Sequence, residues 1–490
     1  MRILLIVSSF NSLSQRVYCY LREHGHSVSV AFAINDEMMK EEVEEFEPEL
    51  IISPYLTKKI PQSIWQNTPV IIIHPGPLGD RGPSSLDWAL INNATHWGVT
   101  ALQANDTMDA GDIWAFRRYP MRCDSKASHY RKEVSDLVIE LVEEVLDNYQ
   151  DKTFKPQCQE SLHNVVWHIH RPMKQADRKI DWNKNTSADI VRKINASDNH
   201  PGVPCYLYGA HFEENLKGRA KEIIAKRDGA ICLGTIDGAI WVSHLKEPHL
   251  FKLPATYVLK ERLKGIQEVR IPLYVSPELK SFNEITFEKK GNVGYLGFDF
   301  YNGAMSSEQC IRLKYAIETL KDEVDVLVLM GGQNFFSNGI HLTILEDSRK
   351  KGEDGWSNIN AMNNLIRTIL FSDDVITVAS FGANAGAGGV FLGLACDVVV
   401  ARESIVLNPH YKTMGLSGSE YHTYTLPKRV GKKLANTLLE EALPISTAWA
   451  KEIGMIDAVL SSVGYEQALE VFCEGLFNGE YDDFLDKKVD

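Results

Sequence analysis

Two stretches of this chain carry residue types that chemistry needs. In the first, Ile71-Ile-Ile-His74-Pro-Gly-Pro-Leu-Gly-Asp-Arg81-Gly, a histidine leaves the C-terminal end of a strand-like run, and Met108-Asp109-Ala-Gly111-Asp112 follows about thirty-five residues on. Open α/β sheets bind ligands beyond the carboxyl ends of their strands, so a proton-handling imidazole belongs there. Asp and Gly alone would mark only a turn. The second stretch is Phe381 to Asp397, FGANAGAGGVFLGLACD. Its glycines Gly382, Gly386, Gly388 and Gly389 follow the strand-like run Asp374 to Ala379 and lead into Val390 to Ala395, which has no polar face. This is a loop feeding a buried helix, where free N–H groups and the helix dipole favour an anion, either a phosphate or a reacting carbonyl oxygen. A second glycine loop, Met330-Gly-Gly-Gln-Asn-Phe-Phe-Ser-Asn-Gly339-Ile340-His-Leu, follows another strand about fifty residues earlier. Dinucleotide binding is disfavoured because the GxGxxG spacing is absent, although Glu403 stands about twenty residues on, and no GK[ST] ending makes a P-loop.

The elements that must position these groups are legible in outline. At 490 residues the chain is too long for one core. Strand-like runs Arg2 to Ser8, Ser27 to Ala33, Glu49 to Ser53 and Val70 to His74 alternate with helix-like segments, as in a parallel α/β sheet. The acidic cluster from Asp36 to Glu47 reads as the wet face of one helix, and Lys126 to Asn148 as a closing helix. Asp151 to about Gln175 reads as a linker. Its HNVVWHIH fits neither HExxH nor a zinc-finger pair, so no metal is expected. Short β-like runs between Lys179 and Tyr274 predict a small β module, and Pro277 to Lys290 a second linker. From Asn292 to about Tyr465 strands and helices alternate again, and the tail after Gly479 reads as a frayed end. The expected division is residues 1–175, 176–280 and 281–490. A net charge of -13 argues against nucleic acid. Eight singly spaced cysteines predict reduced thiols and a cytoplasmic location. No apolar stretch reaches membrane-spanning length.

His74, the Arg81-Gly82 turn and Asp109 stand in the order and at about the separation of the N-x-H-x-S-L-L-P, R-G-x-x-P and L-D-T-G-D elements of 10-formyltetrahydrofolate-dependent formyltransferases, above all methionyl-tRNA formyltransferase. Ile180-Asp181-Trp182 is similar to the I-D-W that opens their OB-like C-terminal module. Residues 1 to about 270 resemble that family. The resemblance implies that His74 stabilises a tetrahedral oxyanion as imidazolium, while Asp109 orients it, raises its pKa and shuttles a proton. It places the pterin near Leu56, Thr57 and Lys58 and near Asn105 and Asp106, with Arg81 at the cofactor-binding turn. One departure is Ile72, where the family has an asparagine. An oxyanion donor of that kind is worth on the order of 3 kcal/mol, so the acceptor need not be the family's amine.

The paired glycine loops resemble the crotonase (enoyl-CoA hydratase/isomerase) superfamily, with its F-S-x-G-x-D-L and G-x-x-x-G-G-G elements. The resemblance covers about residues 290 to 465. It implies that the N–H groups of Ile340 and Gly388 receive an acyl-CoA carbonyl. Asn302-Gly-Ala304-Met-Ser306 matches the loop near the CoA adenine, and Ala304, Gly339 and Gly389 are expected against coenzyme A. Hydratases need two glutamates to hold water. The first would stand at Phe391, and the second would follow Asn408-Pro409, where His410 stands. This site should therefore not hydrate. His410, Tyr411 and Glu420 remain to move protons, with Glu420 the expected base and Tyr411 or His410 the acid for a thiolate.

The expected fold is multidomain α/β: a formyltransferase-like parallel sheet, an OB-like β module and a crotonase-like spiral. This order resembles the hydrogenase maturation factors that join the two halves, which implies formyl transfer to CoA, then decarbonylation of formyl-CoA to carbon monoxide and CoA. It also implies partners among hydrogenase maturation proteins. The rival readings are a formyl-CoA hydrolase releasing formate and a CoA- or folate-binding scaffold for metallocentre assembly. Little chain follows Asp457 to build a crotonase-type trimer, so a monomer is expected.

Overall fold

A run such as Ile3-Leu-Leu-Ile-Val7, apolar at every position, suits only a strand covered on both faces. In a computed structural model of the chain, which describes residues 1–163, 165–199 and 202–476, that is where it lies. Ile3, Leu5 and Val7 join one core cluster, and Leu4 and Ile6 another on the opposite face. The chain divides into two compact units, Met1–Ile180 with Arg192–Cys205, and Asp181–Val191 with Tyr206–Asp490.

The first unit is built on β1 (Arg2–Val7), β2 (Ser27–Phe32), β3 (Leu50–Ser53), β4 (Val70–His74), the two-residue β5 (Asp80–Arg81), β6 (His96–Gln103), β7 (Ile113–Pro120) and the two-residue β8 (His168–Ile169). The main sheet runs β2-β1-β3-β4-β6-β7. Its first four strands are parallel, and β6 and β7 are antiparallel. The helices Ser12–Glu23 and Asp36–Phe46 start at Asn11 and Asn35, whose side chains accept the Ser14 and Met38 N–H groups. The expected linker after Asp151 is not a free connection. Gln159 is buried, Ile113 bridges Gln157, and β8 pairs in parallel with β5. A strand of two residues is too short to leave any periodicity in the sequence.

The second unit opens with an antiparallel sheet of β9 (Leu207–Glu213), β10 (Ile223–Arg227), β11 (Ala230–Gly234), β12 (Ala239–Lys246) and β13 (Lys252–Pro254). A six-stranded sheet follows, ordered β14 (Ile285–Lys290), β15 (Val293–Phe298), β16 (Val326–Gly331), β17 (Ile376–Phe381), β19 and β22, the strands after β14 being parallel. β18 (Ala385–Gly386), β20 (Val406–Asn408) and β21 (Ile445–Ser446) form a small sheet of their own, and β19 spans Val398–Arg402 and β22 Ala458–Leu460. The second expected linker also proves structured, since β14 occupies its last residues and Phe282 and Glu284 are buried. Toward the end of the expected β module, Glu268 and Val275 make isolated bridges to Lys226 and Thr286. The helix Gly388–Leu394 is buried at every residue, as its lack of a polar face requires. The tail beyond Gly479 lies outside the described residues.

Candidate active sites

β4 ends at His74, and the turn that follows brings a carboxylate back onto it. His74 Nε2 lies 2.7 Å from Asp80 Oδ2, and His74 Nδ1 lies 3.6 Å from Asp109 Oδ2. Asp109 has φ +54, a left-handed conformation that costs a non-glycine residue of order 1 kcal/mol or more. It is held there because the Gly82 N–H donates to its Oδ2 at 3.1 Å and Gln159 Nε2 donates to its carbonyl at 3.0 Å. Burial alone would lower the His74 pKa, but the Asp80 hydrogen bond and the Asp109 and Asp80 charges outweigh it and raise the value. The other expected residues gather nearby in part. Thr57 shares a hydrogen bond with Ser8, and Lys58 Nζ donates to the Ile34 carbonyl. Lys59 Nζ donates to the Asp106 carbonyl, so the stretches Leu56–Lys58 and Asn105–Asp106 are neighbours. Asn105 Oδ1 accepts the Thr107 N–H. The Arg81 guanidinium is taken up by Gln159 and Glu160 and lies 4.8 Å from the Trp167 ring centroid. Ile72 packs into the core beneath the sheet.

Asp80, His170 and Gln159 are site residues that sequence reasoning missed. His170 Nε2 lies 2.8 Å from Asp80 Oδ1, so the HNVVWHIH segment reaches the site after all, as a neighbour of a carboxylate. Among the described residues no group of three or more His, Cys, Asp or Glu side chains is placed to hold a metal ion.

The second site forms where the two glycine loops meet. The Ser337 carbonyl accepts the Gly386 N–H, the Ser337 hydroxyl accepts the Gly339 N–H, and the Gly339 carbonyl accepts the Met305 N–H, next to Ala304. A Cβ on Gly339 would lie 3.0 Å from both N and Cα of Gly388, and one on Gly389 would lie 1.9 Å from the Ser337 carbonyl oxygen. Only glycine permits this approach. It sets Gly339, the residue before Ile340, against the Gly388 backbone, and no bond donated by the Ile340 or Gly388 N–H is found among the loop and turn hydrogen bonds of the described residues. Ala387, which precedes the helix, has φ +44.

Glu420 closes this pocket. A Cβ on Gly388 would lie 2.3 Å from Glu420 Oε1. The Tyr411 hydroxyl and the Ser419 hydroxyl both donate to Glu420 Oε2. Glu420 and Tyr421 both take positive φ, +55 and +50, and the Glu420 N–H is anchored on Asn363 Oδ1 at 3.0 Å. Burial raises the Glu420 pKa against the opposing hydrogen bonds from Ser419 and Tyr411, and burial with the neighbouring Glu420 charge raises that of Tyr411. Phe391 stacks on Tyr411 with centroids 5.4 Å apart, and His422 packs on both rings. His410 Nδ1 is 2.8 Å from the Asn408 carbonyl oxygen, and its Cε1 would be 3.0 Å from a Cβ on Gly386. Ser419, Asn363 and His422 were not foreseen.

Comparison with known proteins places both sites in one lineage. Family models match residues 33–146 (formyl transferase), 172–262 (formyl transferase, C-terminal domain) and 290–480 (enoyl-CoA hydratase/isomerase). Hydrogenase maturation factor HoxX of Bradyrhizobium diazoefficiens is 40% identical over 472 residues, which span 94% of this chain and 82% of that protein. The chain belongs to the HypX/HoxX family of hydrogenase maturation factors. A crystal structure of HypX from Aquifex aeolicus in complex with tetrahydrofolic acid matches with a TM-score of 0.95 at 44% identity, covering 100% of this chain and 88% of that one. The formyltransferase half of the HypX/HoxX chain is separately similar to methionyl-tRNA formyltransferase of Geobacter metallireducens, 26% identical over 46% of this chain and 74% of that protein.

Proposed function

We propose that the chain transfers the formyl group of 10-formyltetrahydrofolate to the thiol of CoA and then splits formyl-CoA into carbon monoxide and CoA. The observation that carries this reading is the buried Glu420 carboxylate, set against Gly388 and held by the Tyr411 and Ser419 hydroxyls; by the crotonase resemblance, Phe391 and His410 stand where hydratases carry glutamates. At the first site, the Aquifex complex supports tetrahydrofolate as ligand. A buried histidine whose pKa is raised by two neighbouring carboxylates also suits an oxyanion of formyl transfer. There His74 would stabilise the oxyanion formed as the thiol sulfur adds to the formyl carbon. Asp109 would take the thiol proton and pass it to the departing folate nitrogen.

At the second site two main-chain N–H groups fit a thioester carbonyl, which is what CoA would present. Ile340 and Gly388 would polarise the formyl oxygen and Glu420 would remove the formyl hydrogen as a proton. The carbon–sulfur bond breaks, its electron pair leaving with the thiolate, and Tyr411 would protonate that sulfur while Glu420 returns the proton to Tyr411. The sum is formyl-CoA to carbon monoxide plus CoA. The test is to supply 10-formyltetrahydrofolate and CoA and trap carbon monoxide on haemoglobin. Carboxyhaemoglobin is expected in proportion to tetrahydrofolate formed. Formate without carbon monoxide would replace this reading with a thioester hydrolase. Neither product, with both ligands bound, would leave a scaffold for metallocentre assembly.

A further inference from the structure

His74 does not meet its nearest carboxylate alone. Asp80 is fully enclosed and has a histidine on each oxygen: His74 Nε2 at 2.7 Å from Oδ2 and His170 Nε2 at 2.8 Å from Oδ1. A buried carboxylate needs both oxygens satisfied, and as an acceptor it takes an N–H from each ring. The segment that delivers His170 is built to stay. The His168 N–H donates to the Gly79 carbonyl at 2.9 Å and the His170 N–H to the Arg81 carbonyl at 2.8 Å. The approach is so close that a Cβ on Gly82 would lie 2.2 Å from the His170 carbonyl oxygen. The His170 ring stacks on Trp88 with centroids 5.9 Å apart and planes 11° apart.

We infer that His170 is a positioning residue for His74: through Asp80 it fixes Nε2 as the nitrogen that keeps its proton, leaving Nδ1 as the nitrogen that exchanges with the reacting centre. Nδ1 faces Asp109 across 3.6 Å, beyond a hydrogen bond, so Nδ1, unlike Nε2, is not committed to a short bond with a carboxylate and is the nitrogen open to the reacting centre. Loss of the Nε2 proton would set two acceptors against each other at 2.7 Å. The groups that face His74 are thus Asp80 from β5 and Asp109 from the loop after β6, with His170 behind Asp80. This arrangement has the logic of a catalytic histidine whose tautomer is set by a buried carboxylate, with a second imidazole holding that carboxylate in plane.

The inference rests on the formyl-transfer reading of His74, and the experiment separates the two. His170→Phe keeps a ring on Trp88 and removes the N–H, His170→Gln keeps a donor, and Ile169→Ala, at an exposed neighbour, controls for loosening of the strand. Three quantities are measured: tetrahydrofolate affinity, the rate of formyl transfer to CoA, and the ring-nitrogen NMR signals of His74 through its titration. His170→Phe should bind tetrahydrofolate as wild type does and transfer about 10- to 100-fold more slowly, the range seen when outer partners of oriented histidines are removed. Its neutral His74 should show mixed tautomers in place of Nε2–H, and His170→Gln should recover most of the rate. A wild-type rate in His170→Phe, an unchanged His74 tautomer, or an equal loss in Ile169→Ala overturns the inference. A wild-type protein that binds folate but transfers no formyl group overturns the functional reading, while the tautomer signals still decide the role of His170.

Discussion

Gly388→Ala isolates the contact on which the second half of the proposed reaction depends. The added Cβ would lie 2.3 Å from Glu420 Oε1, 2.4 Å from its Cδ and 2.9 Å from Oε2, where ordinary contact begins near 3.4 Å. The carboxylate must therefore retreat by about 1 Å (3.4 − 2.3). It has little freedom to do so harmlessly, because Tyr411 and Ser419 hold Oε2 and the Glu420 backbone is tied to Asn363. Misplacing a catalytic group by 1 Å costs on the order of 100-fold in rate, which corresponds to about 2.7 kcal/mol. The main-chain N–H of residue 388 survives the substitution, so thioester affinity should hold. The obstructing atoms belong to the end of a side chain, so the melting temperature should move little. Gly389→Ala is the contrast: its Cβ would strike the Ser337 backbone carbonyl at 1.9 Å and should destabilise the fold itself. The assay supplies formyl-CoA directly, bypassing the first site, and follows carboxyhaemoglobin, with calorimetry for CoA affinity. A Gly388→Ala protein within threefold of wild type, or one that loses CoA binding along with rate, would refute the placement of the base.

Other outcomes follow from the same geometry. Glu420→Gln should abolish most carbon monoxide release, by roughly 10²- to 10⁴-fold as for a lost general base. Its stability should respond to pH differently. The folded-state pKa of Glu420 lies above its unfolded value, so wild-type stability falls as pH rises from the ordinary carboxylate range through the folded pKa, and melting curves of the variant should lack that fall. His74 also has a raised folded pKa, so its contribution is fully present below the ordinary value of 6.5 and is lost as pH rises through the folded pKa. The stability gap between wild type and His74→Gln should therefore be widest in acid and narrow toward alkaline pH, and a gap that widens would contradict the double-carboxylate environment. Tetrahydrofolate at a hundredfold excess over its Kd should raise the unfolding free energy by about 2.7 kcal/mol, and an unmoved melting curve would remove the first site as its binding place.

The elements that carry these residues were largely legible, and the partners of the residues were not. His74 and Gly388 could be found because a strand running into a histidine or a glycine loop leaves a local mark within a few residues. Asp80 lay in plain view inside the same motif, but Gly-Asp-Arg-Gly reads equally well as a turn. His170 is 90 positions from Asp80, and a single long-range hydrogen bond leaves no periodic trace. The spacing of the histidine cluster speaks only to metal motifs, whereas its carboxylate arrives through the pairing of two strands of two residues each. Glu420 was nameable, but its route into the pocket depends on two successive non-glycine residues with positive φ, a conformation that composition argues against.

In the proposed reaction Phe391 would do more than occupy a position where the crotonase resemblance expects a glutamate. A hydratase must hold a water between two carboxylates, so its pocket has to be wet at the reacting carbon. Here Phe391 is stacked on Tyr411, with His422 against both, and the Glu420 carboxylate at the glycines is pinned on Oε2 by two hydroxyls. The proposed decarbonylation would need that reversal. A formyl thioester hydrolyses if water reaches its carbon, so carbon monoxide is favoured only where the base is present and the water is not. The burial that raises the Glu420 pKa would, in the proposed reaction, exclude the competing nucleophile at the same time. Opening the aromatic wall with Phe391→Ala should therefore shift the product from carbon monoxide toward formate before it abolishes turnover. A variant that slowed with its product ratio unchanged would show that the ring only fills space.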